Sequence, residues 1–209
     1  MHMIPLMIDL AGKRVVIFGG GEVGARKARF FAPEAEVTVI SRSFSPLFSR
    51  LETEHINRDL SELHEEEITS LLDGAFLAVA ATSDPSLNAR IGHACRKGGV
   101  LFNNASGEAG DILIPSVIRG DHFLLALSTG GESPAVSRFL REYLQSTLPD
   151  LDRMVVLQNR LRRFLPRKEP DSRKRKDIVS KVLHDPEVWA VLGKGEEEAW
   201  QIVEEKYLQ

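Results

Sequence analysis

One stretch of the chain decides its fold: Val15-Val16-Ile17-Phe18-Gly19-Gly20-Gly21-Glu22-Val23-Gly24. An apolar run typical of a buried strand leads here into glycines with the spacing Gly-x-Gly-x-x-Gly. Gly19 permits a sharp turn out of the strand, Gly21 lets backbone N–H groups approach a pyrophosphate, and Gly24 lets the next helix pack close to the sheet. The pattern predicts a dinucleotide-binding loop with the pyrophosphate at the positive end of that helix. The alternative is a glycine-rich turn that holds no ligand.

Strands and helices alternate through the first half of the chain, as this interpretation requires. We predict strands at residues 14–18, 36–41, 55–59, 75–81 and 100–103. We predict helices at residues 23–31, 44–51, 62–72 and 85–97. The last of these helices follows Asp84 as its N-cap and has Pro85 in its first turn. Strands separated by helices indicate a parallel, doubly wound sheet, so the predicted fold class is α/β of the Rossmann type.

The pattern changes after residue 111. Two apolar segments, 112–119 and 123–128, are joined by Gly120-Asp121, which is typical of a hairpin. Helices are predicted at residues 133–144, 151–164, from 177 onward, and at 196–208. The two apolar strands need a partner surface, because a long exposed edge is a liability that dimerisation removes. We therefore expect a nucleotide-binding domain at 1–111, a dimerisation region at 112–145 and a C-terminal helical domain at 146–209.

The composition excludes several classes of protein. The chain has 209 residues, a formal net charge of −3 and a single cysteine, Cys95. It can form no internal disulfide, which suits a reducing compartment. It has no apolar run of about 18 residues and no secretory signal, so we expect a cytoplasmic protein without a membrane partner. Cysteine and histidine do not occur with metal-ligand spacing, and we expect no bound metal.

A basic stretch lies between residues 160 and 176, where nine basic side chains stand against two acidic ones. One interpretation is a solvated linker between two helices, and the other is attraction for a polyanionic ligand. The stretch contains no recognised nucleic-acid-binding module, so we expect no nucleic-acid partner.

Several longer motifs occur in a fixed order between residue 4 and about residue 145. They are Ile4-Pro5-Leu6, Gly19-Gly20-Gly21-Glu22-Val23-Gly24-Ala25-Arg26-Lys27, Ala80-Ala81-Thr82-Ser83-Asp84-Pro85-Ser86-Leu87-Asn88, Ile114-Pro115-Ser116, Ser128-Thr129-Gly130-Gly131-Glu132-Ser133-Pro134 and Arg138-Phe139-Leu140-Arg141. Together they resemble the precorrin-2 dehydrogenase family, which includes the N-terminal half of siroheme synthases and bifunctional dehydrogenase–sirohydrochlorin ferrochelatases. The resemblance implies oxidation of precorrin-2 to sirohydrochlorin with NAD. It also implies a homodimer with a Rossmann domain, an intertwined dimerisation region and a C-terminal helical domain.

The resemblance assigns roles to the cofactor residues. Glu22 and Val23 are expected to contact the pyrophosphate through their backbone, and Arg42 and Ser43 to lie at the ribose and adenine. An arginine at the end of the second strand can accommodate the 2′-phosphate of NADP. The family uses NAD, and we expect NAD. Thr82 follows the strand at 75–81, and it either contacts the cofactor or only caps the next helix.

The catalytic position departs from the family pattern. The family's Asn-Val-Val-Asp motif places an aspartate where this chain has Gly107. Glu108 and Asp111 are the nearest carboxylates, and either could accept the proton lost as hydride leaves the macrocycle. In the alternative interpretation, Asp111 stabilises a turn and Glu108 is solvated.

The substrate implied by the resemblance is a polycarboxylate, so its site needs cationic and polar donors. Arg138 and Arg141 can pair with carboxylates in two-point fashion, and Ser128 and Thr129 can orient the substrate. The alternative for the arginines is surface salt bridging. Two other functions stay open: insertion of Fe²⁺ into sirohydrochlorin, and a non-catalytic NAD(H) sensor.

Overall fold

The computed structural model describes residues 3–106 and 110–209. The chain divides into two compact units, Met1–Ile114 and Pro115–Gln209. The predicted division into three blocks is finer than this and stays a prediction.

The first unit is built on a five-stranded parallel sheet in the order β3-β2-β1-β4-β5. Its strands are β1 (Arg14–Phe18), β2 (Glu36–Ser41), β3 (Glu54–Asn57), β4 (Ala75–Ala80) and β5 (Leu101–Asn104). Its helices are α1 (Glu22–Phe31), α2 (Glu65–Leu71) and α3 (Pro85–Gly98), with a 3₁₀ helix at Pro46–Arg50. The predicted α/β class is confirmed.

Strand β1 lies at the centre of the sheet, and its apolar run is buried on both faces. Val15 and Ile17 belong to the core cluster that α1 covers, and Val16 and Phe18 belong to the cluster that α2 and α3 cover. All four side chains are fully buried. An uninterrupted apolar sequence forms a strand here because side chains alternate between two faces that are both covered by helices.

Helix α3 begins and ends at the residues that the sequence marks. The Asp84 side chain accepts hydrogen bonds from the N–H groups of Ser86 (2.8 Å) and Leu87 (3.3 Å). The helix ends at Gly99, whose φ of +68° lies in the left-handed region. The sequence therefore positions this helix, and with it the loop between β4 and α3, by local capping.

The second unit combines a hairpin with five helices. Its elements are β6 (Ser116–Arg119), β7 (Leu124–Leu127), α4 (Pro134–Thr147), α5 (Leu151–Phe164), α6 (Ser172–His184), α7 (Pro186–Leu192) and α8 (Glu196–Tyr207). Strands β6 and β7 pair antiparallel, as the Gly120-Asp121 signal predicts. Helices α5 to α8 enclose one core, which includes Leu157, Leu161 and Trp200. Within residues 3–106 and 110–209, no helix has the length and apolar character needed to cross a membrane.

Some predicted elements differ from the observed ones. The predicted helix at 44–51 is a 3₁₀ helix, Pro46–Arg50, because Pro46 opens it and Leu51 is already extended. Residues 112–115 are not strand: the N–H groups of Asp111 and Ile112 both bond the carbonyl oxygen of Phe102 in β5, whereas a strand would pair alternate residues along its partner. Helix α6 begins at residue 172 rather than 177, and α7 was missed. The basic stretch is largely helical in α5 and α6, so the interpretation as a linker is wrong for most of it.

Candidate functional site

An open cleft of about 450 Å³ lies in the first unit, at the edge of the sheet where the parallel strands end. It is lined by residues from the loops after β1, β2, β3 and β4. These are Gly19, Gly20, Gly21, Glu22, Val23, Ser41, Arg42, Asp59, Leu60, Ser61, Ala81, Thr82, Ser83, Asp84 and Leu87. Ligands of open α/β sheets bind outside the carboxyl ends of the strands, so this cleft is the candidate site.

The glycine loop packs tightly against its own domain at three positions. Gly19 has a φ of +119°, and a Cβ there would stand 2.7 Å from the carbonyl carbon of Ala81. A Cβ at Gly20 would stand 2.9 Å from the Cβ of Ser41, and one at Gly24 would overlap the carbonyl oxygen of Gly19. These glycines therefore let α1, β2 and the loop after β4 approach the backbone of the loop.

Gly21 differs from its neighbours because space is open around it. A Cβ built at Gly21 meets no heavy atom of the described residues within 4 Å, its chain neighbours aside. Gly21 is also the N-cap of α1, and it supplies no side-chain cap. The N–H groups of the first turn have no carbonyl within the helix to bond, so they are available to an anion. This cradle fits a pyrophosphate.

A second side of the cleft is formed by the ends of β2 and β3. Arg42 follows β2, and its Nη1 lies 3.6 Å from Oδ2 of Asp59, which follows β3. Oδ1 of Asp59 accepts hydrogen bonds from the hydroxyl (2.7 Å) and the N–H (3.0 Å) of Ser61. These bonds from Ser61, together with Arg42, lower the pKa of Asp59 below its ordinary value. The carboxylate is therefore held charged beside the arginine.

Asp59 and Ser61 were missed by the sequence analysis. Their signal was available, because residues that directly follow neighbouring parallel strands meet at one edge of the sheet. The predicted strand at 55–59 has Asp59 as its last residue, whereas the observed β3 ends at Asn57 and leaves Asp59 in the following loop.

Thr82 lines the cleft and also holds the loop after β4 together. Its hydroxyl donates to Oδ1 of Asn88 at 2.7 Å and accepts from the N–H of Asp84 at 3.2 Å. The side-chain amide of Asn88, which is buried, donates to the Thr82 carbonyl oxygen at 3.2 Å. The structural role that the sequence left open for Thr82 is thus present, and a cofactor contact stays a prediction.

The structure brings most of the predicted cofactor residues into one cleft. Those that line it are Gly19, Gly21, Glu22, Val23, Arg42 and Thr82. Gly24 and Ser43 stand behind the lining: Gly24 packs on Gly19, and the Ser43 carbonyl lies against Gly20. Their contribution is to the shape of the loop.

Asp111, one of the two predicted catalytic carboxylates, is not among the residues that line the cleft. Glu108, like Gly107, lies outside the described residues. The N–H of Asp111 donates to the carbonyl oxygen of Phe102 at 2.8 Å, so Asp111 lies beside β5.

Burial, with a smaller contribution from the Asp111 charge, raises the pKa of the Cys95 thiol to about 12. Cys95 is therefore a buried thiol rather than a nucleophile.

The predicted substrate residues belong to the second unit, around the start and the surface of α4. The Ser128 hydroxyl accepts from the N–H of Gly130 at 3.0 Å, and the Thr129 hydroxyl donates to the Ser133 carbonyl at 3.0 Å. Arg138 pairs with Glu142 at 2.8 Å on the exposed face of α4, and the hydrogen bond from Arg138 lowers the pKa of Glu142.

One hydrogen-bond donor of Arg141 is unpaired among the described residues. Its Nε is buried and has no hydrogen-bond partner in the part of the chain that the structure describes. Across residues 3–106 and 110–209, no group of three or more His, Cys, Asp or Glu side chains could hold a metal ion.

Comparison with known proteins places these features in context. A model of an NAD(P)-binding family matches residues 6–116. The chain is 38% identical to a precorrin-2 dehydrogenase of Methanosarcina barkeri over 193 residues, which cover 90% of this chain and 86% of that protein. It is 32% identical to a siroheme synthase of Azotobacter vinelandii over 209 residues, which cover 99% of this chain but 44% of that protein. The chain thus spans less than half the length of that siroheme synthase.

A solved structure extends the likeness to three dimensions. The structure of SirC, a precorrin-2 dehydrogenase, superposes with a TM-score of 0.72 at 25% sequence identity. The match covers 97% of this chain and 100% of that one. The similarity therefore includes both units and not only the nucleotide-binding half.

Proposed function

This chain belongs to the precorrin-2 dehydrogenase family, and on that premise we propose that it oxidises precorrin-2 to sirohydrochlorin with NAD, a step of siroheme synthesis. The observation that carries the proposal is the cradle at Gly21. The space around Gly21 is open, and the helix that begins there has no side-chain cap. The chain as a whole aligns with a precorrin-2 dehydrogenase over nine tenths of its length. Other glycines, such as Gly74 and Gly99, also have open space around them, so the support comes from the combination of that space with the uncapped helix and the cleft at the carboxyl ends of the strands.

The glycine loop would hold the pyrophosphate through the first-turn N–H groups of α1, including those of Glu22 and Val23. When bound, the cofactor supplies a nicotinamide ring that accepts a hydride from the reduced macrocycle. The chain's own task is to position two ligands and to take up the proton. Positioning of two bound reactants supplies much of the rate in such reactions.

We propose that Glu108 or Asp111 accepts the proton released by the macrocycle. Both follow β5 within a few residues and are the nearest carboxylates to Gly107, where the family carries an aspartate. The backbone of Asp111 is anchored on β5 through Phe102, while its side chain is exposed. Separate neutral variants of the two residues distinguish the candidates.

The carboxylates of the substrate are assigned to Ser128, Thr129, Arg138 and Arg141. The support for Arg141 is its unpaired Nε, since a buried donor is normally hydrogen-bonded. Arg138 would exchange Glu142 for a substrate carboxylate. That exchange costs little, because exposed ion pairs of this kind contribute little to stability.

We also propose a homodimer formed through residues 112–145. Helix α4 carries an apolar stripe at helical spacing, composed of Val136, Phe139, Leu140 and Tyr143, and each of these side chains is at least 38% exposed. None of the residues of α4 is buried in the single chain. An exposed stripe of this kind marks an interaction surface, and a second copy of this chain is the occupant that the family architecture favours.

We further propose a cytoplasmic location. The support is that Cys95 is a free, buried thiol and that the chain contains no second cysteine to pair with it. A reducing compartment suits that arrangement.

The test is an assay of the purified full chain with precorrin-2 and NAD. We expect sirohydrochlorin and NADH to form together, and the absorbance of each product measures its formation. A Gly21→Asp variant places a negative charge in the cradle and should lose this activity while remaining folded. Failure of the unsubstituted chain to form sirohydrochlorin with either NAD or NADP would refute the proposed function.

A further inference from the structure

We propose that Asp59 makes the site selective for NAD over NADP, an inference that rests on the proposed function. Dinucleotide-binding domains that use NAD commonly place an acidic residue at the end of the second strand, where it binds the ribose 2′-hydroxyl. This chain has Ser41 and Arg42 at that place. Asp59, which follows the neighbouring strand β3, supplies the missing carboxylate from the side.

The register of the sheet brings Asp59 to this position. Ser41 at the end of β2 is paired with Asn57 at the end of β3. The ladder then continues for one step, because the N–H of Arg58 donates to the Ser41 carbonyl oxygen at 3.1 Å. Asp59 is the next residue, and it emerges in the cleft beside Arg42.

Hydrogen bonds determine which oxygen of Asp59 is available. Both bonds from Ser61 go to Oδ1. Oδ2 is the atom that lies 3.6 Å from Nη1 of Arg42. One oxygen of the carboxylate is thus used to fix the turn, and the other is presented on the side of the arginine, where a ribose hydroxyl can donate to it.

The contact between Arg42 and Asp59 changes the nucleotide preference that Arg42 alone would predict. An arginine alone at this position favours the 2′-phosphate of NADP. A 2′-phosphate brought to Arg42 would also approach the carboxylate of Asp59, and like charges repel. The 2′-hydroxyl of NAD is neutral and can donate a hydrogen bond, so it meets no such penalty. Asp59 therefore disfavours NADP, which carries the 2′-phosphate, and accepts NAD, which carries a 2′-hydroxyl.

A simple surface ion pair is the competing explanation. The side chains of Arg42 and Asp59 are 76% and 44% exposed, and exposed pairs commonly have no role. The two explanations differ in one measurable quantity, the ratio of the dissociation constants for NADP and NAD.

The experiment is calorimetric titration of the full chain with NAD and with NADP, without substrate. The variant Asp59→Asn keeps an oxygen to accept the bonds from Ser61 and removes the charge, so the turn is preserved. Its matched control is Asp73→Asn, which makes the same change of charge just before β4. Asp73 lies where the parallel strands begin, and the cleft lies where they end. A second variant adds Arg42→Ala to Asp59→Asn.

We expect the unsubstituted chain and Asp73→Asn to bind NAD more tightly than NADP. Asp59→Asn should strengthen NADP binding about tenfold, because a like charge has been removed. It should also weaken NAD binding about tenfold, because the amide nitrogen that replaces Oδ2 cannot accept the bond from the 2′-hydroxyl. Adding Arg42→Ala should reverse the gain for NADP and leave NAD nearly unaffected.

Two results would contradict the role of Asp59, and only one of them would also contradict the proposed function. If the unsubstituted chain binds NAD and Asp59→Asn leaves the ratio of the two constants as it was, Asp59 does not select the cofactor, although the proposed function stands. If the unsubstituted chain binds neither nucleotide, the proposed function fails and the role of Asp59 fails with it.

Discussion

Replacing Gly21 by alanine should weaken NAD binding at least about tenfold and leave the stability of the fold nearly unchanged. The change adds a single methyl group at the N-cap of α1. The backbone φ of Gly21 is −75°, which any L-residue adopts, and the new Cβ meets no heavy atom of the described residues within 4 Å. The methyl group would instead occupy the space in which the pyrophosphate approaches the first-turn N–H groups.

The expected effect on stability is small because two contributions oppose each other. Alanine is a poorer N-cap than glycine by several tenths of a kcal/mol. It also reduces the entropy of the unfolded chain, which stabilises the fold by about 0.4–1 kcal/mol. The net change should be below about 1 kcal/mol, which corresponds to a shift in Tm of less than about 4 °C for a chain of this size.

The expected effect on binding is larger. Hydrogen bonds from backbone N–H groups to a charged phosphate contribute about 1.5–3 kcal/mol each. Losing or lengthening one of them weakens NAD binding at least about tenfold, since 1.4 kcal/mol is a factor of ten. The two effects separate the ligand role of Gly21 from any role in packing.

The matched control is Gly24→Ala, three residues further along the same loop. Its Cβ would overlap the carbonyl oxygen of Gly19, which belongs to the backbone and cannot turn aside. Overpacking of this kind costs about 1–3 kcal/mol. We therefore expect Gly24→Ala to lower Tm by several degrees, about 2–4 °C for each kcal/mol lost.

The assay combines thermal unfolding, followed by circular dichroism, with calorimetric titration of NAD. A Gly21→Ala chain that binds NAD as tightly as the unsubstituted chain would refute the placement of the pyrophosphate. A Gly21→Ala chain that unfolds as early as Gly24→Ala would show that the open space at Gly21 is not real.

Four further predictions concern the rest of the chain. Light scattering at micromolar concentration should find a dimer, and Phe139→Glu, which charges the apolar stripe, should yield monomer; a monomeric unsubstituted chain would exclude the proposed dimer. Asp185 caps α7 and accepts from Lys206 (3.0 Å) and Tyr207 (2.9 Å). Burial works to raise the pKa of Asp185, but these bonds outweigh it and lower the pKa. The stabilisation is therefore present above the unfolded pKa of about 3.9 and lost as pH falls through the folded value. Asp185→Ala should cost about 1–2 kcal/mol at neutral pH in a denaturant titration and reduce the acid dependence, whereas an unaltered midpoint would disprove the role of the cap. Asp111→Asn and Glu108→Gln, assayed separately, should identify the proton acceptor by loss of dehydrogenase activity. The unsubstituted chain should insert Fe²⁺ into sirohydrochlorin no faster than the spontaneous reaction, and insertion well above that rate would contradict a dehydrogenase-only enzyme.

Most elements of the first unit could be predicted because their signals are local. The apolar run of β1, the turn at Gly19 and the cap at Asp84 each involve residues that are adjacent or nearly adjacent in the chain. Helix α7 was missed even though Asp185-Pro186 repeats the signal of Asp84-Pro85. That helix has only seven residues, so its apolar period is too short to stand out beside longer neighbours.

The sequence by itself determined the order of strands and helices, the α/β class and the glycine loop. These follow from periodicity, capping and turn chemistry, which act over a few residues. Only the tertiary structure decided that Oδ2 of Asp59 lies 3.6 Å from Nη1 of Arg42 and that Asp111 lies along β5 next to Phe102. Arg42 and Asp59 are 17 residues apart along the chain, and Phe102 and Asp111 are nine residues apart. Both contacts depend on the register in which one strand or segment lies beside another, and register is set by the packing of the whole sheet rather than by the residues in contact.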